Sequence, residues 1–127
     1  MALHKDPIPG FDGLYGLRVL KADAEGARGE VAIGPQHLQP GGIVHGGIYA
    51  SMAETLASMA TWFAVGEGKF VAGMSNNTTF LRPVREGTIH AEGTPLHSGR
   101  TTWVWEVDIT DDEGRLCALV RMTIAVR

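Results

Sequence analysis

The chain has 127 residues, 44% of them apolar and 20% charged, and a formal net charge of -3. That length fits one domain with one core, and the slight negative charge leaves no electrostatic case for a nucleic-acid partner. Cys117 is the single cysteine, which excludes an intrachain disulfide, and His4, His37, His45, His90 and His97 form no cluster with it at metal-ligand spacing, so no metal site is indicated.

In chain order, the segment from Met1 to Pro7 lacks an apolar signal stretch, and the protein is expected to stay in the compartment where it is made, the cytoplasm. After a loose start through Pro7, Pro9 and Gly10, the runs 16–22 and 28–33 predict a hairpin of two strands, turned by residues 23–26. Pro35 ends the second strand, and residues 36–44, with Pro40, Gly41 and Gly42, form a loop. A helix begins near Gly46, runs to about Ala64 and stops before Gly66 and Gly68. Four strands are expected at 70–81, 87–97, 101–110 and 115–126, separated by turn signals at 83–87, 98–99 and 111–114. In the third of these, Trp103, Trp105, Val107 and Ile109 alternate with Val104, Glu106 and Asp108, so both tryptophans belong to the buried face. Cys117, inside an apolar run, reads as a buried strand residue.

Residues 46–66 carry a single charge and are long enough to cross a bilayer. Glu54 at the middle, the hydroxyls of Ser51, Thr55, Ser58 and Thr61, and flanks without a Lys/Arg cluster point instead to a core helix, with no membrane partner. At 100° per residue, Ile48, Tyr49, Met52, Leu56, Met59 and Phe63 share a broad apolar face, flanked by Ala50, Ala53, Ala57 and Ala60, with Ser51, Glu54, Thr55, Ser58 and Thr61 opposite. Two apolar sectors and one narrow polar stripe predict a helix surrounded by protein. The expected architecture is α+β, one domain over 1–127 in which an antiparallel sheet of five or six strands grips one long central helix. The edges of such a sheet are expected to be resolved by a second copy of the chain.

Glu54 is the one charge on that helix, and an enclosed carboxylate is paired, protonated or kept for chemistry. Composition alone leaves catalysis and a structural or solvated role equally open. Gly46 and Gly47 are expected to leave free N–H groups at the first turn, where the helix carries partial positive charge and suits a developing oxyanion. A bare N-terminal turn explains the glycines as well.

The string His45-Gly46-Gly47-Ile48-Tyr49-Ala50-Ser51-Met52-Ala53-Glu54 resembles the His-Gly-Gly-x6-Glu/Asp signature of the hotdog-fold acyl-CoA thioesterases. The likeness runs from about Gly13 to Val126, and Ala53 to Ser58 is most similar to the Arthrobacter-type 4-hydroxybenzoyl-CoA enzymes, which use Glu where the phenylacetate type uses Asp. It implies hydrolysis of an aromatic acyl-CoA, with Glu54 as nucleophile or general base, Gly46 N–H on the thioester oxygen and Gln39 assisting. It implies further that Ser58 orients water or the carboxylate and that His45 holds the loop. Gly47, Asn77, Thr78, Arg82, Gly99, Arg100, Thr101 and Thr102 match positions that bind substrate or the nucleotide in such enzymes, although Arg82 and Arg100 also read as ordinary strand-end charges. Asn76 suits strand pairing as well as the pocket. No cofactor is implied, since coenzyme A is part of the substrate, and the family commonly forms a dimer of dimers. Two rivals remain: a hydratase or dehydratase using His45 with Glu54, and a non-catalytic acyl-CoA-binding module.

Overall fold

The computed structural model describes residues 8–127; the expected loose start through Pro7 and the segment on which the compartment reading rests lie outside them. A five-residue helix α1 (Phe11–Tyr15) opens the described chain, followed by β1 (Arg18–Asp23), β2 (Gly26–Ala32), a 3-10 turn (Pro35–His37), α2 (Gly46–Val65), β3 (Val71–Phe80), β4 (Thr88–Ser98), β5 (Thr102–Thr110) and β6 (Leu116–Val126). The hairpin, the long helix and the four later strands fall within two residues of their predicted bounds. Helix α1 and the 3-10 turn were not anticipated, because three to five residues are too few to show a period.

The six strands form one sheet in the order β1-β2-β4-β5-β6-β3, every neighbouring pair antiparallel. It curls around α2, which touches all six strands. Trp105, Val107 and Ile109 of β5, Val120, Met122 and Ile124 of β6, and Val19 and Val31 of the hairpin are fully buried against the helix. Trp103 is buried too, as alternation predicted, and so is Cys117, as its apolar run predicted.

The buried face of the helix is rotated from the one expected, keeping Tyr49, Met52 and Leu56 but moving toward the alanine flank. Tyr49, Met52, Ala53, Leu56, Ala57, Ala60 and Thr61 are its buried residues, so the contact is centred on the alanine flank. Small side chains let the strands approach closely: a Cβ at Gly29 of β2 would stand 3.1 Å from Leu56. Phe63, expected in the core, is half exposed beside Trp62, while Ile48 and Met59 are only partly covered. Thr61, expected on the polar stripe, is fully buried. Its hydroxyl donates to the Ala57 carbonyl (2.7 Å) and accepts the indole N–H of Trp105 (2.8 Å).

β1 and β3 are the sheet edges. No residue of β3 is buried, and Met74 and Phe80 on it are each 59% exposed. A bulge interrupts its register with β6 between Gly73 and Ser75, re-aiming the strand where it passes α2.

Removing the Thr61 hydroxyl leaves a buried indole N–H without an acceptor. Thr61→Val is expected to cost about 1–3 kcal/mol of unfolding free energy in urea titration, and Thr61→Ser much less. Equal stabilities for the two variants would show that the Trp105 bond contributes nothing.

Candidate active site

The start of α2 is held by two histidines. The His45 side chain caps the helix, its Nδ1 accepting the N–H of Gly47 at 2.9 Å. This arrangement needs the ring proton on Nε2. His37, 3% exposed, uses both ring nitrogens: Nδ1 accepts the Gly34 N–H (2.8 Å) and Nε2 donates to the Tyr15 carbonyl (2.7 Å). Its own carbonyl accepts the His45 N–H, and Val44 N–H reaches the Val84 carbonyl. The 3-10 turn, the loop and the segment leading into β4 are thereby strapped to one point, the entrance of the helix. His37 gave no signal in the sequence beyond being a histidine.

Two free N–H groups were expected at this turn and the structure leaves one. Gly47 is taken by His45, whereas the Gly46 N–H meets no acceptor among the described residues. Phe80 packs on Gly46 so closely that a Cβ there would lie 2.5 Å from its ring, and any side chain at this position would have to push that half-exposed ring aside. Gln39 turns back on its own loop, its carbonyl oxygen accepting the Gly41 N–H and its side-chain amide N–H2 remaining available. Gln39, Gly46, Tyr49, Phe80 and Arg82 share a cleft of about 440 Å³. The Tyr49 hydroxyl is the one buried side-chain polar atom without a partner among the described residues, and burial pushes its ionisation up to about 12, keeping it protonated.

Glu54 is not enclosed in the protomer, contrary to expectation. It faces outward from α2 at the junction of two other clefts. One, of about 610 Å³, runs along the helix past Ser58, Met59, Trp62 and Phe63 to Phe70. The other, of about 370 Å³, is lined by Phe11, Ala50, Ser51, Thr55 and Asn76. Gly73 of β3 passes beside the carboxylate, where a Cβ would stand 3.8 Å from Glu54 Cδ; nothing in the sequence marked it.

The remaining expected contacts divide between the two ends of β3. Arg82 lies beyond its end, in the Gln39 and Gly46 cleft. Gly99, Arg100, Thr101 and Thr102 form the β4–β5 turn at the opposite end, where the Gly99 N–H donates to the Thr102 carbonyl and the Thr101 carbonyl accepts from Val126 and Arg127. The structure does not bring Arg82 and Arg100 together within a protomer. Asn77 is exposed on β3. The Thr78 hydroxyl donates to Asn76, whose amide donates to the Ala50 carbonyl of α2, so these two side chains tie the edge strand to the helix. Among the described residues no group of His, Cys, Asp and Glu is placed to hold a metal, and no helix is long and apolar enough to cross a membrane.

Known proteins resemble this chain in sequence and fold. The family model described as Thioesterase superfamily matches residues 41–118, the span from the α2 entrance into β6. The proofreading thioesterase EntH of Klebsiella pneumoniae is 39% identical over 111 residues, covering 87% of this chain and 81% of that protein. The crystal structure of a thioesterase from Haemophilus influenzae has a TM-score of 0.84 at 34% identity, over 89% of this chain and 79% of the other. That of a glutamine-to-alanine variant of a Pseudomonas aeruginosa thioesterase gives 0.85 at 32%, over 89% and 82%. The chain therefore belongs to the thioesterase superfamily, has its hotdog fold and is a thioester hydrolase.

Loss of the helix cap is measurable apart from catalysis. His45→Ala is expected to lower unfolding free energy by about 1 kcal/mol, and His45→Asn, whose side chain caps equally well, to restore most of it. Thermal denaturation showing no difference among the three proteins would remove His45 from this role.

Proposed function

We propose that the protein hydrolyses an acyl-coenzyme A with an aromatic acyl group to the free acid and coenzyme A, using Glu54 as nucleophile or general base and the Gly46 N–H as oxyanion donor. The observation that carries the reading is the pair of groups on α2: an unpartnered N–H at its first turn and an outward carboxylate flanked by an apolar cleft. A donor at a helix N-terminus stabilises the charge that develops on a thioester oxygen. A carboxylate beside the carbonyl carbon either attacks it, expelling the thiolate and leaving an anhydride for water to cleave, or takes a proton from the attacking water. Met59, Trp62, Phe63 and Phe70 make the larger cleft suited to a ring. Ser58, one turn after Glu54 on the same cleft, is in reach to orient water, and Arg82 in the Gly46 cleft suits a phosphate of the coenzyme.

The two halves belong, in this reading, to different subunits. Eight residue steps along the helix separate Gly46 from Glu54 by about 12 Å on the axis, whereas one carbonyl needs its donor and its attacker each about 3 Å away. Gly46 and Glu54 also line separate clefts. The long uncovered edge of β3, which borders Glu54, offers the pairing surface for a second copy. A dimer of this kind would set Glu54 of one subunit against the partner's Gly46 and the partner's Gln39, and a dimer of dimers would extend it.

Thiol release from a panel of aromatic and aliphatic acyl-CoA substrates tests the chemistry. Wild type is expected to favour aromatic acyl groups and Glu54→Ala to lose about a hundredfold or more in kcat; an unimpaired Glu54→Ala would end the catalytic assignment. Subunit mixing tests the composite site. Glu54→Ala and Gln39→Ala, each defective alone, are expected to recover about a quarter of wild-type activity after dissociation and random re-association, because half the dimers then hold one intact site. A site contained in one protomer would give no recovery.

A further inference from the structure

Helix α1 has no evident reason to persist by itself. Five residues are far below the length at which an isolated helix is stable in water, and this one contains Gly13 and is bounded by Gly10 and Gly16, both at positive φ. Its attachment comes from side chains. Tyr15 is buried, and its hydroxyl donates to Asp12 Oδ1 at 2.7 Å. The same oxygen accepts the Thr55 hydroxyl of α2 at 2.8 Å, the one hydrogen bond between side chains that joins the two helices among the described residues. Burial and the Asp12 carboxylate push the Tyr15 phenol well above its ordinary range, so it remains a donor.

Thr55 follows Glu54 in the chain, and the anchored helix brings Phe11 to the cleft that Glu54, Ser51 and Asn76 line. Phe11 is 63% exposed there, although Tyr15 of the same short helix is buried. Of the two clefts meeting at Glu54, the larger is walled by aromatic and aliphatic side chains. The smaller combines the Phe11 ring and Ala50 with the Ser51 and Thr55 hydroxyls, the Asn76 amide and Glu54 itself, a mixture suited to a flexible arm of alternating methylenes and amides rather than to a ring.

We propose that Phe11 packs against the pantetheine arm of the thioester, and that Asp12 is a positioning residue that fastens α1 to α2 through Thr55 and Tyr15 and so holds Phe11 in place. This rests on the reading of Glu54 as the reacting carboxylate. An apolar contact to the thiol side acts equally on ground and transition states, so it is felt in KM and not in kcat, and to the same degree whatever the acyl group.

The test is steady-state kinetics of the full chain with phenylacetyl-CoA and hexanoyl-CoA. Phe11→Ala and Asp12→Ala are each expected to raise KM about tenfold for both substrates with kcat within about twofold of wild type. Asp12→Asn, which keeps an oxygen acceptor, is expected to behave as wild type, and the double variant Phe11→Ala/Asp12→Ala no worse than Phe11→Ala, since the two act through one contact. Should Asp12→Ala fail to fold, Thr55→Val against Thr55→Ser reads the same link. An unchanged KM in Phe11→Ala, a rise confined to one acyl group, or a loss in kcat alone overturns the proposal while leaving Glu54 untouched. Loss of the underlying reading shows separately, as turnover that survives Glu54→Ala.

Discussion

The distance at which the sheet closes on α2 governs the rest of the molecule. Ala53, Ala57 and Ala60 are all fully buried, and Gly29 of β2 leaves room for Leu56. With so little side chain on that side, the large residues come from the strands, above all Trp105 and Met122, and the helix backbone itself becomes part of the core. Thr61 is drawn inside by the same closeness, because the Trp105 indole needs an acceptor and the hydroxyl at 2.8 Å provides it. The opposite side of α2 is then turned outward with its hydroxyls and Glu54.

That orientation leaves part of the helix and one sheet edge open. A helix gripped by one curved sheet leaves one side uncovered, and the neighbouring edge β3 has no buried residue and keeps exposed Met74 and Phe80. The carboxylate lies on the uncovered side, and the unpartnered N–H of Gly46 lies at the helix entrance, in a separate cleft. In the proposed composite site, the side of the helix that the sheet leaves open is also the side on which Glu54 would meet a second copy.

The helix entrance shows how few groups are needed to prepare one donor. His45 takes the Gly47 N–H, His37 holds His45 by its backbone, and the Phe80 ring packs against Gly46. What remains is a single dipole-reinforced donor on a backbone pinned at Gly34, Tyr15 and Val84. In the proposed reaction, preorganisation of this sort would contribute to rate, because no backbone has to move when charge develops.

Much of this was legible in the chain itself. Alternation in 101–110, the glycines and prolines between the runs, and the 3.6-residue period of 46–65 defined the strands and the helix, because these signals are local and each lies within a window of about ten residues. The resemblance carried by His45, Gly46, Gly47 and Glu54 led to the right superfamily. Periodicity tells which residues share a side of α2, but the sheet's approach and extent decide which side is buried, so Phe63 came out and Thr61 went in. The occupied Gly47 N–H, the two bonds of His37, the Asp12 to Thr55 link across 43 residues and the nearness of Gly73 to Glu54 all join groups whose contact exists only once the chain has folded. Residue types and their order determined the elements and the chemistry on offer; tertiary packing decided which donors stayed free and which faces stayed open, since a hydrogen bond depends on where its partner ends up.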